Sequence, residues 1–265
     1  MIILGYLLAI LVGVSLGLIG SGGSILTVPI LVYIMGINPV LATAYSLFIV
    51  GSTSLIGGIQ NLKNKNADVK TVLIFGLPSI FAVYLTRAYL LPAIPEDLWT
   101  LPSFTLTKNV ALMLLFALVM IASSLSMILP SQETKSSKRE IQRYNYLLIL
   151  AEGLLVGVLT GLVGAGGGFL IIPALVLLAG MPMKRAVGTS LLIIAAKSLL
   201  GFLGDLQANL NIDWKVLMIF TFFSIIGILI GILLSKKING EKLKSSFGYF
   251  VLAMGIYIIV NELFF

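Results

Sequence analysis

The sequence predicts an all-α polytopic membrane protein made of two inverted-topology repeats of about five segments each, with short broken or re-entrant helices at Gly-rich tips. Three observations predict it. Of 265 residues, 59% are hydrophobic and only 10% charged, and the mean hydropathy of +1.12 lies far above that of soluble domains. The chain repeats itself at an offset of 144 residues. Lys and Arg are also distributed so that matching loops of the two halves differ in charge, as inverted repeats require.

A spanning helix needs roughly 20 apolar residues, so the chain has room for about eight to ten spans and no separate soluble domain. There is no Cys and no His. Disulfides, thiolate nucleophiles, imidazole bases and the usual transition-metal ligands are thereby excluded, and no cofactor or metal is expected. The excess of 17 basic over 10 acidic residues reflects positive cytoplasmic loops, not nucleic-acid binding.

The first apolar run, Ile2 to Leu18, lacks the basic stretch of a secretory signal and is matched by a second copy deep in the chain, so it should stay in the mature protein. At the repeat offset Gly13-Val14, Gly17-Leu18 and Gly20 fall on Gly157-Val158, Gly161-Leu162 and Gly164. Gly22-Gly23 then falls on Gly166-Gly167, Pro29 on Pro173, Ser46-Leu47 on Ser190-Leu191 and Gly57 on Gly201. About 20 of 50 aligned positions are identical without a gap, which indicates an internal duplication.

The first half (1–129) reads as segments near 2–19, 24–36, 39–61, 70–91 and 107–129, and the second (144–265) as segments near 145–163, 168–180, 186–206, 214–235 and 243–264. The second segment of each half follows a glycine-rich break and is about 13 residues long, roughly 20 Å as a helix, too short to cross upright. A re-entrant hairpin is expected, with its irregular tip sheltered by protein or water. The polar stretch 130–143 is a flexible cytoplasmic linker between the halves.

Lys63, Lys65 and Lys70, the linker's Lys135, Lys138, Arg139 and Arg143, and Lys236, Lys237, Lys242 and Lys244 mark cytoplasmic loops, as do Lys184 and Arg185. The 92–106 loop has no Lys or Arg, and the one near 207–213 has only Lys215 at its edge. Both termini are therefore expected outside, in a multi-pass protein of the cell membrane. The first helical pair contributes an even number of crossings whether it spans or dips.

Site chemistry concentrates at the two tips, Gly20-Ser21-Gly22-Gly23-Ser24 and Gly164-Ala165-Gly166-Gly167-Gly168. Converging N–H groups and a helix start suit an anion; close helix packing is the other use of such glycines. No Lys-Ser/Thr follows, so neither tip is a nucleotide loop. Lys197 lies mid-helix, where an ammonium needs water or an anion, and its counterpart is Thr53. Glu152 is a candidate for proton or ion coupling, or a partner for Lys197. However, it stands about 18 Å along its helix from Gly164, close to the interface. Arg87 and Asp205 are placed near helix ends, with snorkelling side chains. The hydroxyls of Thr43, Tyr45 and Ser46, and of Thr189 and Ser190, would either complete an oxyanion's shell or bond their own helix carbonyls.

The duplicated Gly-x-x-Gly-x-Gly-Gly followed by Val-Pro or Ile-Pro, here Gly17 to Pro29 and Gly161 to Pro173, resembles the TauE/SafE-type sulfite and organosulfonate exporters, the TSUP family, over nearly the whole chain. The resemblance implies export of a small sulfur oxyanion or sulfonate such as sulfite, thiosulfate or sulfoacetate. The first copy departs from it in carrying Ser24 where the second has Gly168. The residues themselves point to an anion and do not supply the sulfur.

The expected site is therefore Ser21, Gly22, Gly23, Ser24, Tyr45, Ser46, Gly166, Gly167, Gly168, Thr189, Ser190 and Lys197, around a small anionic substrate and within membrane lipid. No ATP-binding motif is present, so the drive is an ion, proton or substrate gradient. An anion channel is the near alternative. A cation transporter using Glu152 and Asp205 conflicts with a mid-membrane lysine, and an intramembrane protease lacks its base or second aspartate. The oligomeric state stays open.

Overall fold

The computed structural model describes residues 2–101, 104–128, 146–164, 166–177, 181–208, 210–235 and 240–264. The linker 130–143 lies outside them. Within the described residues all ten expected segments are helical. In the first half these are α1 (Ile2–Ile19), a short irregular segment containing α2 (Thr27–Pro29), α3 (Pro39–Lys63), α4 (Val69–Leu85) extended by α5 (Leu91–Ala93), and α6 (Lys108–Ile128). The second half contributes α7 (Tyr146–Val163), α8 (Gly168–Leu177), α9 (Met183–Gln207), α10 (Trp214–Leu234) and α11 (Gly240–Phe264).

Among the described residues six helical stretches are long and apolar enough to cross a membrane: Pro39–Lys63, Val69–Ala93, Lys108–Leu125, Lys184–Gln207, Trp214–Leu234 and Ser246–Phe264. Their outer faces carry exposed apolar side chains, for example Leu73, Leu77 and Phe81 on α4 and Phe222 and Leu233 on α10. Such surfaces are at rest in lipid and not in water.

Four local features depart from the expected segments. The first tip is wound as a 3-10 turn over Gly20–Leu26, and Pro29 is followed by a π turn over Ile30–Ile34. Proline lacks the N–H that a regular i to i−4 ladder needs, so the register changes around it. The 92–106 loop contains an antiparallel hairpin, β1 (Asp97–Leu101) with β2 (Phe104–Thr107), pairing Trp99 with Leu106 and Thr100 with Thr105. A second π turn, Thr86–Leu90, joins α4 to α5.

The packing exchanges partners between the halves. α1 lies along α10, α7 along α4, α3 crosses α9, and α6 pairs with α11. Small residues make the closest of these contacts, as expected where lipid supplies no hydrophobic drive between helices. A Cβ on Gly13 would collide with the Ser224 carbonyl oxygen, and one on Gly17 would lie 2.7 Å from the Ile228 carbonyl oxygen. In the second half a Cβ on Gly157 would lie 2.7 Å from the Ser79 carbonyl oxygen, and one on Gly161 2.7 Å from Thr86 Cβ. The first helix of each half thus leans on the fourth helix of the other through equivalent glycines.

Candidate functional site

The tips begin at equivalent glycines. Gly20 and Gly164 both have φ of 73°, a left-handed conformation that other residues adopt only with strain. Each packs on the other half's third helix at an equivalent position: a Cβ on Gly20 would lie 2.6 Å from Val187 Cγ1, and one on Gly164 2.6 Å from Thr43 Cα. This crossed docking brings the tips together. A Cβ on Gly166 would lie 2.8 Å from Val50 Cγ1, 3.2 Å from Ile194 Cγ2 and 3.5 Å from Ser24 Cβ. The second tip therefore meets the first over the crossing of α3 and α9, and Ser24, Gly23, Gly166, Gly167 and Gly168 are all buried there.

Ser21 and Gly22 lie in the same 3-10 turn. Its interior N–H groups serve i to i+3 bonds, and Ser15 Oγ donates to the Gly23 carbonyl at 3.4 Å. The second tip is wound differently. Gly166 and Gly167 both have positive φ, at 66° and 61°, and α8 then starts at Gly168, with its first N–H groups aimed back at the tip.

Lys197 is fully buried on α9. Its Nζ donates to Thr160 Oγ1 on α7 at 2.9 Å and would lie 2.8 Å from a Cβ on Gly167. The Lys197 side chain therefore ends at the second tip. Among the described residues its ion-pair partner is not Glu152, which is half-buried eight residues before Thr160 on α7, about 12 Å along the helix. The counterpart Thr53 is buried with its hydroxyl unpartnered among the described residues, as are Ser46, Ser54, Ser198 and Thr27. Ser46 and Thr53 flank Val50 at helical spacing on the face turned to the tips, as Ser190 and Lys197 flank Ile194. The Ser190 hydroxyl donates to the Val187 carbonyl at 2.8 Å.

Tyr45 and Thr189 take a different place. The Tyr45 hydroxyl accepts a 2.6 Å bond from the Asp213 N–H, and Thr189 Oγ1 accepts a 2.9 Å bond from the Asp68 N–H. Asp213 and Asp68 are the N-caps of α10 and α4. Tyr45 and Thr189 are equivalent in the repeat, and each ties its helix to the fourth helix of the opposite half.

The snorkelling expected of Arg87 and Asp205 is overturned. They form an ion pair at 3.3 Å with side chains 0% and 1% exposed, since the π turn and α5 carry the helix on past Arg87. Gly204 lets α9 approach closely, and a Cβ there would lie 2.9 Å from Arg87 Cβ. This pair lies outside the expected anion site, and the one signal for it was two opposite charges in otherwise apolar helices. No group of three or more Asp or Glu able to hold a metal ion occurs among the described residues.

A family model described as sulfite exporter TauE/SafE matches residues 5–259. The chain is 30% identical over 257 residues to a probable membrane transporter protein of Xylella fastidiosa (strain 9a5c), covering 94% of this chain and 91% of that one. It is 28% identical over 270 residues to the probable membrane transporter protein MJ0441 of Methanocaldococcus jannaschii, covering 96% and 95%. The probable membrane transporter protein YunE of Bacillus subtilis is 29% identical over 233 residues, 78% of each chain. No solved structure matches.

Proposed function

Because the chain belongs to the sulfite exporter TauE/SafE family, we propose that this membrane transporter is a secondary exporter of a small sulfur-containing anion, such as sulfite, thiosulfate or a C2 sulfonate. The anion sits where the two tips meet, against the N–H groups ahead of α8 and the ammonium of Lys197. The halves are inverted relative to one another in the plasma membrane and rock about this point. The chain acts by binding and release without catalysis.

One observation carries the reading: Lys197 Nζ is buried at Gly167 of the second tip with a hydroxyl for its neighbour, 2.9 Å away. A buried ammonium needs compensation. The hydroxyls of Ser46 and Thr53, unpartnered among the described residues, supply neutral donors on the facing helix. A bound oxyanion satisfies both at once. The pairing of Asp205 with Arg87 removes that carboxylate from any cation site.

Equilibrium binding to the purified protein of sulfite, thiosulfate, sulfoacetate, sulfate and chloride, followed by counterflow in proteoliposomes, tests this. Saturable binding and exchange of at least one sulfur anion is expected. Binding of none of them, or flux that neither saturates nor exchanges, would overturn the assignment.

A further inference from the structure

A second cation is sealed among the helices, and the tip site does not use it. Arg87 sits on the π turn Thr86–Leu90 and faces Asp205 in the last turn of α9. Among the described residues only one guanidinium nitrogen is engaged. Nη1 donates to Asp205 Oδ1 at 3.3 Å and to Thr43 Oγ1 at 3.1 Å. Nε and Nη2 are equally buried and have no partner among the described residues, and neither has Asp205 Oδ2.

That geometry differs from a saturated structural ion pair. A guanidinium locked to a carboxylate uses two parallel N–H groups on two oxygens at about 2.7–2.9 Å. Here one oxygen is met end-on at 3.3 Å, while the edge best suited to bidentate recognition is left over. The Nε–H and one Nη2–H point the same way, spaced to match two oxygens of a sulfonate, sulfite or carboxylate. Buried donors of this kind are costly unless a ligand or water reaches them.

The place of the pair is equally specific. Thr43, which Arg87 touches, is the residue on which Gly164 at the start of the second tip rests. Asp205 follows Lys197 by eight residues on α9, about 12 Å along the helix. In the other half the equivalents are neutral: Asn61 stands for Asp205 by the repeat offset. Ile232 stands for Arg87, because Gly231 faces Gly17 as Thr86 faces Gly161.

We propose that the Nε–Nη2 edge of Arg87 is a second oxyanion station, which takes the head group of the transported anion between the tips and the C-terminal end of α9, with Asp205 as the counter-ion that lets it go. The proposal rests on the reading that an oxyanion is held at the tips. A fork of this kind favours an anion presenting two oxygens over chloride, and a single station makes the path unequal towards its two ends.

The test uses the full chain. Wild type, Arg87→Lys, and the double variants Arg87→Met/Asp205→Leu and Arg87→Gln/Asp205→Asn are compared for thermal stability, equilibrium binding of thiosulfate and sulfoacetate, and counterflow in proteoliposomes. Arg87→Lys keeps the charge and loses the fork. The doubles remove both charges together, which a purely structural pair tolerates. The expected result is folded variants that bind at the tips within about threefold of wild type and exchange labelled anion at least about tenfold more slowly. Wild-type exchange in Arg87→Lys or in either folded double overturns the station and leaves a structural ion pair. A wild-type protein that binds neither anion defeats the transport reading itself, a result separable from any Arg87 effect.

Discussion

Replacing Lys197 by Met removes the charge at the meeting of the tips and little else. Met nearly matches the length of the side chain without its ammonium. The hydrogen bond lost is the 2.9 Å one to Thr160 Oγ1, and the Thr160 hydroxyl keeps its own bond to the Val156 carbonyl, so no donor is stranded. Relief of the buried ammonium offsets the lost bond, and the melting temperature should move by only a few degrees. Binding should change far more. A charge-assisted contact is worth about 1.5–3 kcal/mol, which corresponds to roughly ten- to hundred-fold in Kd. Were Lys197 the partner of Glu152, the change would instead strand a carboxylate at a cost of about 3–5 kcal/mol, and adding Glu152→Gln would restore stability. With Glu152 about 12 Å along α7 from Thr160, the two changes should be additive in stability. Calorimetric titration of sulfite and sulfoacetate into wild type, the single variants and the double, with thermal unfolding of each, separates these cases. Wild-type affinity in a folded Lys197→Met protein would refute the reasoning.

Gly167→Ala places a methyl group against Thr160 Oγ1 and 2.8 Å from Lys197 Nζ, at a φ of 61° that costs alanine about 1–2 kcal/mol. A lower melting temperature and at least about tenfold weaker sulfite binding are expected together, and no change in either would contradict the tip geometry. Tyr45→Phe and Thr189→Val each leave an N-cap N–H without its acceptor, so each should lose about 1 kcal/mol of stability with sulfite affinity intact. A tenfold loss of affinity at unchanged stability would return these residues to the binding site. Single cysteines at Asn64 and Trp99, introduced into this cysteine-free chain, should react with an impermeant maleimide from the cytoplasmic and the outer side respectively. Reaction of both from one side would reverse the topology.

The ten helices were legible because runs of apolar residues punctuated by Gly, Pro and charge are an unambiguous signal in a membrane chain. That two tips would lie together was readable from the duplication, which supplies two equivalent Gly-rich breaks; the docking of Gly20 on Val187 and of Gly164 on Thr43 was not. Local winding was not. A 3-10 tip and two π turns differ from an α-helix by a one-residue shift in which carbonyl each N–H reaches, a difference the apolar pattern does not record. Side-chain partners across the halves were hidden as well. Counting from helix ends put Arg87 near an interface, whereas its surroundings are set by a residue 118 positions away. The roles of Tyr45 and Thr189 were recoverable in principle, because Asp68 and Asp213 are also near-equivalents in the repeat. A hydroxyl's residue type alone does not say whether its partner is a substrate or a backbone N–H.

The contacts that build the fold are duplicated, and the charges are not. Gly13 and Gly157, Gly20 and Gly164, Val50 and Ile194 hold matching positions, so the scaffold offers the same shelter to both tips. Thr53 against Lys197, Asn61 against Asp205 and Ile232 against Arg87 break that equality, and each break puts charge on one side of the crossing only. Asp205 and Lys197 ride on α9, whereas Arg87 rides on the extension of α4 in the first half. Any rocking that parts α4 from α9 must therefore stretch an ion pair across the boundary between the halves, in surroundings too apolar to screen it. An anion on the free edge of Arg87 would lower the cost of that separation by supplying negative charge in place of the carboxylate. Movement would then be coupled to the presence of substrate, with no titratable histidine required.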